Sequence, residues 1–369
     1  MVAELDEQIE LICRKFQITG EYLRYEVVTY GHINTTYKVF FFRNGEVKDY
    51  ILQKVNTYVF KNPVEVMRNI ITVTEHIREK IKNIKGTAKR DVLHYQKTKS
   101  GEYYLFPNPN EFWRCCRFIN GSKTYLKAEN AKIMEEAGKA FGLFQKYLSD
   151  YPVQDLHIAI PHFHNTVMRF GALKDAVQAD VCGRVLAVKD VIDEYLALEE
   201  IATELYKKQK AGILPLRVTH NDTKCSNILF DEKTDDHLAV IDLDTVMPGL
   251  IAFDFGDAIR AGASTAEEDE KDLSKVALNI ELYEGFAKGF LGQLGAEISD
   301  VEKDAFALGA ITMTIECGAR FLTDYLDGDK YFRTEYAEHN LVRAKNQLAL
   351  GKDMIGRLDE MIEIVNKYR

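Results

Sequence analysis

The spacing of apolar and polar positions changes period twice along the chain. Residues 4–16, opening "ELDEQIELIC", carry apolar side chains at helical spacing. From about 24 to 55 the pattern is that of strands. "YEVVTY", "TTYKVFFF" and "KDYILQKV" are rich in β-branched and aromatic residues, and Gly31 and the Asn44-Gly45 turn signal separate them. A helix is predicted from Pro63, where proline suits the first turn, with Val64, Met67, Ile70, Ile71, Thr74 and Ile77 along one face. "VLHYQ", "YYLF" and "EFWRCCRFI" then read as three more strands. After "NGSKTY" the period turns helical over 129–148, 168–179, 185–210, 267–293, 298–325 and 335–367, and only 216–243 interrupts it with strand signals. The pattern predicts an α+β protein in two lobes, a β-rich front over 1–119 and a mostly helical back over 120–369, joined near 118–122. No internal repeat or low-complexity stretch intervenes.

Bulk properties narrow the function classes. The net charge of −9 argues against a broad nucleic-acid surface, which needs a basic footprint. No apolar run reaches the roughly 18 residues of a membrane helix, and the acidic start lacks the order of a secretory signal. Cys13, Cys115, Cys116, Cys182, Cys225 and Cys317 form no C-x-x-C pair and no zinc spacing, so free thiols in the cytoplasm are expected. His162 and His164 in "PHFH" lack a third ligand and read as a loop. No protein partner is evident.

The chemistry concentrates in "VTHNDTKCSNILFDEKTDDHLAVIDLDTVMPG", residues 218–249. His220-Asn221-Asp222, four residues, then Asn227 match H-x-D-x-x-x-x-N. "ILF", a polar turn and "HLAVID" follow as a hairpin. Antiparallel return brings Asp222 and Asn227, before the first strand, to Asp242 at the end of the second. Unpaired carboxylates are expensive beside apolar strands. Convergent oxygen donors there suit Mg²⁺ and a triphosphate, the phosphate and water completing the shell. Asp222 is left to take a hydroxyl proton, and Asn227 and Asp242 to hold metal, which is the logic of a kinase catalytic loop.

"THNDTKCSNILF", "AVIDLDTVMPG" and "FDFGD" resemble the aminoglycoside phosphotransferase and choline kinase superfamily. Within it, "YGHINTTYKV", "DYILQKVNTYVFKNP", "DFGDAIR" and "ARFLTDYLDGDKYFR" resemble the N-acetylhexosamine 1-kinases, over about residues 28–350. The resemblance implies a protein-kinase-like two-lobed fold. It implies ATP and Mg²⁺ as cofactors, and phosphorylation of the anomeric hydroxyl of N-acetylglucosamine or N-acetylgalactosamine. A kinase of the same fold with another sugar, an amino alcohol or an aminoglycoside as acceptor is the first alternative. A catalytically silent nucleotide- or sugar-binding protein is the second.

On the nucleotide side, the resemblance puts the backbone around Gly31, Asn34 and Thr35 over the phosphates. The strand position expected for a phosphate-binding lysine holds Gln53, with Lys54 next to it. Neighbours on a strand face opposite ways, and Gln53 is expected inward. Adenine is placed against the lobe connection, at Arg117 and Ile119, and Trp113 is expected in the core. On the acceptor side, the resemblance assigns His32, Arg320 and Tyr331 to the sugar, with Asp222 taking the anomeric proton. Asp244 is expected to support the metal or its loop, and Asp254 to steady the catalytic loop. Arg260 is left as a partner of Asp254 or a substrate contact.

Overall fold

The computed structural model describes residues 2–29, 33–85 and 88–368. α1 (Val2–Cys13) leads into β1 (Glu21–Val28), β2 (Thr35–Arg43) and β3 (Glu46–Val55), then α2 (Pro63–Lys85), β4 (Leu105–Asn108) and β5 (Glu111–Arg117). The strands form one antiparallel sheet in the order β1-β2-β3-β5-β4. Residues alternate across it, so the two faces bury different sets. Ile9, Ile12 and Phe16 pack with Val39, Leu52, Trp113 and Cys115 on one face. Val55, Phe112 and Cys116 pack with α2 on the other. α2 starts at Pro63, with Asn62 O accepting from Glu65 and Val66.

The α2 core does not stop at the lobe connection. It continues into Phe144, Leu148, Val218, Ala239, Leu243 and Val246 of the helical lobe. That lobe comprises β6 (Ser122–Lys123), α3 (Ala131–Tyr147), α4 (Thr166–Ala179), α5 (Lys189–Ala197) and α6 (Glu199–Lys210). After these come β7 (Arg217–Thr219), β8 (Ile228–Asp231), β9 (His237–Val240) and β10 (Met247–Gly249). α7 (Ile251–Gly262), α8 (Ile280–Leu294), α9 (Asp300–Asp304), α10 (Phe306–Leu326), α11 (His339–Gly356) and α12 (Leu358–Lys367) complete it. A small antiparallel sheet over a larger helical region is the α+β, kinase-like architecture that the pattern predicts. Among the described residues no helix is long and apolar enough to cross a membrane.

Three segments differ from expectation. The strand expected at 92–96 shrinks to a bridge between Tyr95 and Cys116, because the Arg78 guanidinium takes the Leu93 carbonyl at 2.6 Å. The helix expected from 267 begins at Ile280, capped by Asn279. Upstream of it, Asp272 accepts from Ser274 N at 3.2 Å and closes a 3-10 turn instead. α7 was not expected at all. Nearly every residue in it is buried, and its polar stripe of Asp254, Asp257 and Arg260 faces the β7–β8 loop, with no solvent-exposed face to mark it as a surface helix. Gly256 makes this burial possible. A Cβ there would land on the Gly309 carbonyl, so α7 and α10 meet backbone to backbone.

Candidate active site

The catalytic loop runs from β7 to β8 and is stitched down before any ligand arrives. Asn221 and Asp242 both adopt left-handed backbone, with φ of 64° and 57°. Such conformations cost on the order of 1 kcal/mol or more in a non-glycine residue and persist only where the surroundings impose them. For Asn221 those surroundings are visible: its side-chain amide donates to Thr245 O at 2.9 Å and to Thr219 O at 3.2 Å. The fully buried His220 ring links the two arms of the site. Its Nε2 lies 2.9 Å from Ile241 O, and its Nδ1 accepts from Asp222 N at 3.2 Å. That pattern fixes the neutral tautomer with the proton on Nε2.

α7 supplies the loop with carboxylates at a spacing of three, one helical face. Asp254, 1% exposed, accepts from His220 N at 2.8 Å, Asn221 N at 2.7 Å and the Gln145 amide at 2.8 Å. Burial pushes its pKa up, while the amide donors of His220, Asn221 and Gln145 pull against the rise. Asp257 accepts from Thr223 N at 3.0 Å and pairs with Arg260 at 2.9 Å. Arg260 therefore partners Asp257 and, at 2.9 Å, Glu268, and not Asp254.

The β8–β9 hairpin pairs Ile228 with Val240, and Ile241 N donates to Asn227 O at 2.9 Å. The expected juxtaposition of Asp222, Asn227 and Asp242 results. Asn227 turns its amide nitrogen to Asp222, 2.9 Å from Oδ2, which leaves its amide oxygen as the atom for a cation. Asp242 is exposed to solvent and has no hydrogen-bond donor among the described residues, yet protein atoms crowd its carboxylate. Burial, then the charges of Asp244 and Asp222, push its pKa up to about 6. A divalent cation would relieve that strain. Among the described residues no group of three His, Cys, Asp or Glu side chains is placed to hold a metal. The Asp242 carboxylate and the Asn227 amide oxygen instead fit Mg²⁺ completed by phosphate and water.

Lys224 went unnoticed in the sequence although it follows Asp222 by two. Its ammonium lies 3.1 Å from Asp222 Oδ2. Burial lowers its pKa but Asp222 outweighs burial, so the net shift is upward and the charge is retained. This lysine sets a positive charge directly beside Asp222.

Gly31 and His32 lie outside the described residues. Asn34 uses its side chain on the protein, donating to Asp244 at 2.6 Å and accepting from Asn56 N at 2.9 Å, which leaves its backbone for a ligand. Thr35 opens β2 opposite Lys54. Lys54 reaches Glu111 at 2.7 Å and turns toward the Trp113 face of the sheet. Gln53 faces the other way, between Thr36 at 3.1 Å and Arg114 at 2.9 Å. Arg114 goes on to an ion pair with Asp244. In the lobe connection, Arg117 N is committed to His94 O at 2.9 Å and Phe118 N to Asp49 O at 3.0 Å. The Ile119 amide has no partner among the described residues.

The acceptor wall stands beside the catalytic loop. His164 lies 3.3 Å from Asn221 O and 3.0 Å from Glu316, and Thr166 also donates to that carboxylate. Burial raises the Glu316 pKa, but these partners outweigh it and hold it ionised. Arg320 is one turn further along α10. It makes no hydrogen bond or ion pair among the described residues. It stands instead over Phe163, Tyr331 and Phe332, at 6.0, 5.9 and 5.4 Å from the ring centroids. Tyr331 is 72% exposed. The structure thus brings Arg320 and Tyr331 together, and adds His164, Glu316 and Phe163. "PHFH" is where the sequence could have shown Phe163 and His164.

A family model described as the phosphotransferase enzyme family (APH) matches residues 31–294. A kinase-like protein of Caenorhabditis elegans is 33% identical over 91 residues, which is 25% of this chain and 22% of that protein. Solved structures share the fold at low identity. An aminoglycoside phosphotransferase from Alicyclobacillus acidocaldarius superposes with a TM-score of 0.60 and 9% identity, covering 97% of this chain and 96% of that one. A microcompartment-associated aminopropanol kinase gives 0.59 and 12%, covering 95% and 98%. A choline kinase from Cryptosporidium parvum gives 0.56 and 15%, covering 98% of each chain.

Proposed function

We propose, from the premise that the chain belongs to the phosphotransferase enzyme family, that it transfers the γ-phosphoryl of ATP to the anomeric hydroxyl of an N-acetylhexosamine. The observation that carries the reading is the mouth at which Asp222, Asn227 and Asp242 meet on a loop already fixed by Asp254 and Asp257. The acceptor hydroxyl approaches Asp222, which takes its proton as the oxygen bonds to the γ-phosphorus. The bond from that phosphorus to the β–γ bridging oxygen breaks, and ADP leaves. Asn227 and Asp242 hold Mg²⁺, which when bound supplies positive charge against the phosphate oxygens. Lys224 offers its ammonium to the group in transfer. The Ile119 amide, in the connection that begins at Arg117, receives adenine. The backbone at Gly31, Asn34 and Thr35 covers the phosphates.

The acceptor wall supports a sugar over a cationic acceptor. Arg320 brings a positive charge that makes no ion pair among the described residues and disfavours an ammonium group, while the nearby Glu316 carboxylate is hydrogen-bonded to His164 and Thr166. Its guanidinium is suited to an amide carbonyl, and the Tyr331 and Phe163 rings to the apolar face of a pyranose. His32 joins them from the covering loop. The rival reading, an amino-alcohol kinase, has in its favour the names of the aminopropanol and choline kinases that share the fold. ATP consumption with Mg²⁺ against N-acetylhexosamines, other free sugars, choline, ethanolamine and aminoglycosides decides between them. Turnover with N-acetylhexosamines and an acid-labile sugar 1-phosphate as product is expected. Turnover with choline or aminoglycosides and none with N-acetylhexosamines would overturn the acceptor assignment.

A further inference from the structure

Asp244 is buried between the lobes and holds parts of both. From the helical lobe it follows the candidate metal residue Asp242 by two positions, in a 3-10 turn. From the sheet lobe it receives the Asn34 amide at 2.6 Å, at the end of the phosphate-covering segment, and the Arg114 guanidinium, 130 residues away in sequence. Arg114 is 2% exposed and sits across from Gln53 in the β3–β5 register, with its Nε on the Gln53 amide oxygen at 2.9 Å. Gln53 in turn donates to Thr36 of β2. One carboxylate therefore gathers the covering segment, the strand with the altered lysine position, and the metal turn.

We infer that Arg114 and Asp244 are a positioning couple. They set the phosphate-covering segment in register with the metal-binding turn, and so replace by an interlobe ion pair an alignment that a strand lysine would otherwise give through the phosphates. This rests on the phosphotransferase reading for its consequence, not for its geometry. The Asn34 and Arg114 bonds converge on different oxygens of Asp244, Oδ2 and Oδ1, so the carboxylate cannot rotate without breaking one of them. Nucleotide binding then meets a covering segment already anchored over the site.

A buried ion pair gives a way to separate positioning from stability. Removing one partner strands the other, whereas replacing both with apolar side chains of similar size is often neutral for the fold. The test compares the wild type with Asn34→Ala, Arg114→Met, Asp244→Leu and the Arg114→Met/Asp244→Leu double variant. Three readouts are taken: thermal unfolding, amide hydrogen exchange of residues 33–36 without ligand, and the Kd for ATP with Mg²⁺. The double variant is expected to unfold near the wild-type temperature while residues 33–36 exchange faster and ATP binds about tenfold more weakly, within the usual range of coupling between sites. Asn34→Ala should reproduce the exchange and ATP effects with unfolding unchanged. A double variant that recovers stability, loop protection and ATP affinity together would overturn the inference and leave the pair merely structural. Wild-type protein that binds no ATP would instead remove the phosphotransferase reading, while the exchange data still judge the anchoring.

Discussion

The catalytic loop and the acceptor wall face the same cleft but are built on opposite principles. In the loop, the amides of His220, Asn221, Asp222 and Thr223 all have partners, and strained backbone at Asn221 is held by side-chain bonds. On the wall, Arg320 keeps its donors uncommitted and Tyr331 is largely open. On the proposed function, the groups needed at every turnover are fixed beforehand by the protein, which is how preorganised sites gain their effect. Groups that choose among acceptors are left for the acceptor to satisfy. This separation predicts that damage to the loop appears in kcat, and damage to the wall in acceptor KM.

The largest effect is expected from Asp222→Asn, which removes the proton acceptor with little change of shape. kcat should fall by about 10²–10⁴, with the unfolding temperature held; steady-state kinetics beside a thermal scan check this. Asp254→Ala comes next and reaches the loop from below. It leaves the buried amides of His220 and Asn221 unsatisfied, so we expect a loss on the order of 3 kcal/mol in denaturant unfolding together with a large fall in kcat. Gly256→Ala should cost about 1–3 kcal/mol by forcing α7 away from α10, and some activity with it, since α7 carries Asp254 and Asp257. Arg320→Ala sharpens the contrast from the other side. Acceptor KM should rise on the order of tenfold or more, as for a lost hydrogen bond to a charged group, with ATP KM and stability unchanged.

Asp242 adds a pH-dependent test of the loop side. Its folded pKa is pushed up to about 6, above the ordinary aspartate value of 3.8. Between those values the unfolded chain has released this proton while the folded chain keeps it. The group therefore lowers the stability of the metal-free protein as pH rises from about 3.8 to 6, and adds no further slope above. Because Mg²⁺ needs the ionised form, its stabilising shift in unfolding temperature should grow as pH passes upward through about 6. Asp242→Asn should abolish that pH dependence.

Legibility in the sequence followed the same divide. The hairpin and its convergent residues were readable because their geometry is local: a strand, a tight turn and a return strand leave one place for Asp222, Asn227 and Asp242. The sheet strands β1, β2, β3 and β5 and the helix α2 were readable from period and turn chemistry. α7 was not, because its polar face of Asp254, Asp257 and Arg260 is turned to protein groups and not to solvent, and Gly256 lowers helical propensity. Arg114 was hidden for another reason: only the β3–β5 register shows that it sits across from Gln53. His164 and Glu316, 152 residues apart, meet only through tertiary packing.

The central claim is phosphoryl transfer from ATP to a sugar hydroxyl at Asp222. Its most direct test is ³¹P NMR of a reaction containing Mg²⁺, ATP and N-acetylglucosamine or N-acetylgalactosamine, run with wild-type and Asp222→Asn protein at matched concentration. The wild type is predicted to give ADP and a phosphate ester at C1 in equal amounts, and the variant to give both at least about a hundredfold more slowly. ADP accompanied by free inorganic phosphate alone, or a variant as fast as the wild type, would contradict the account.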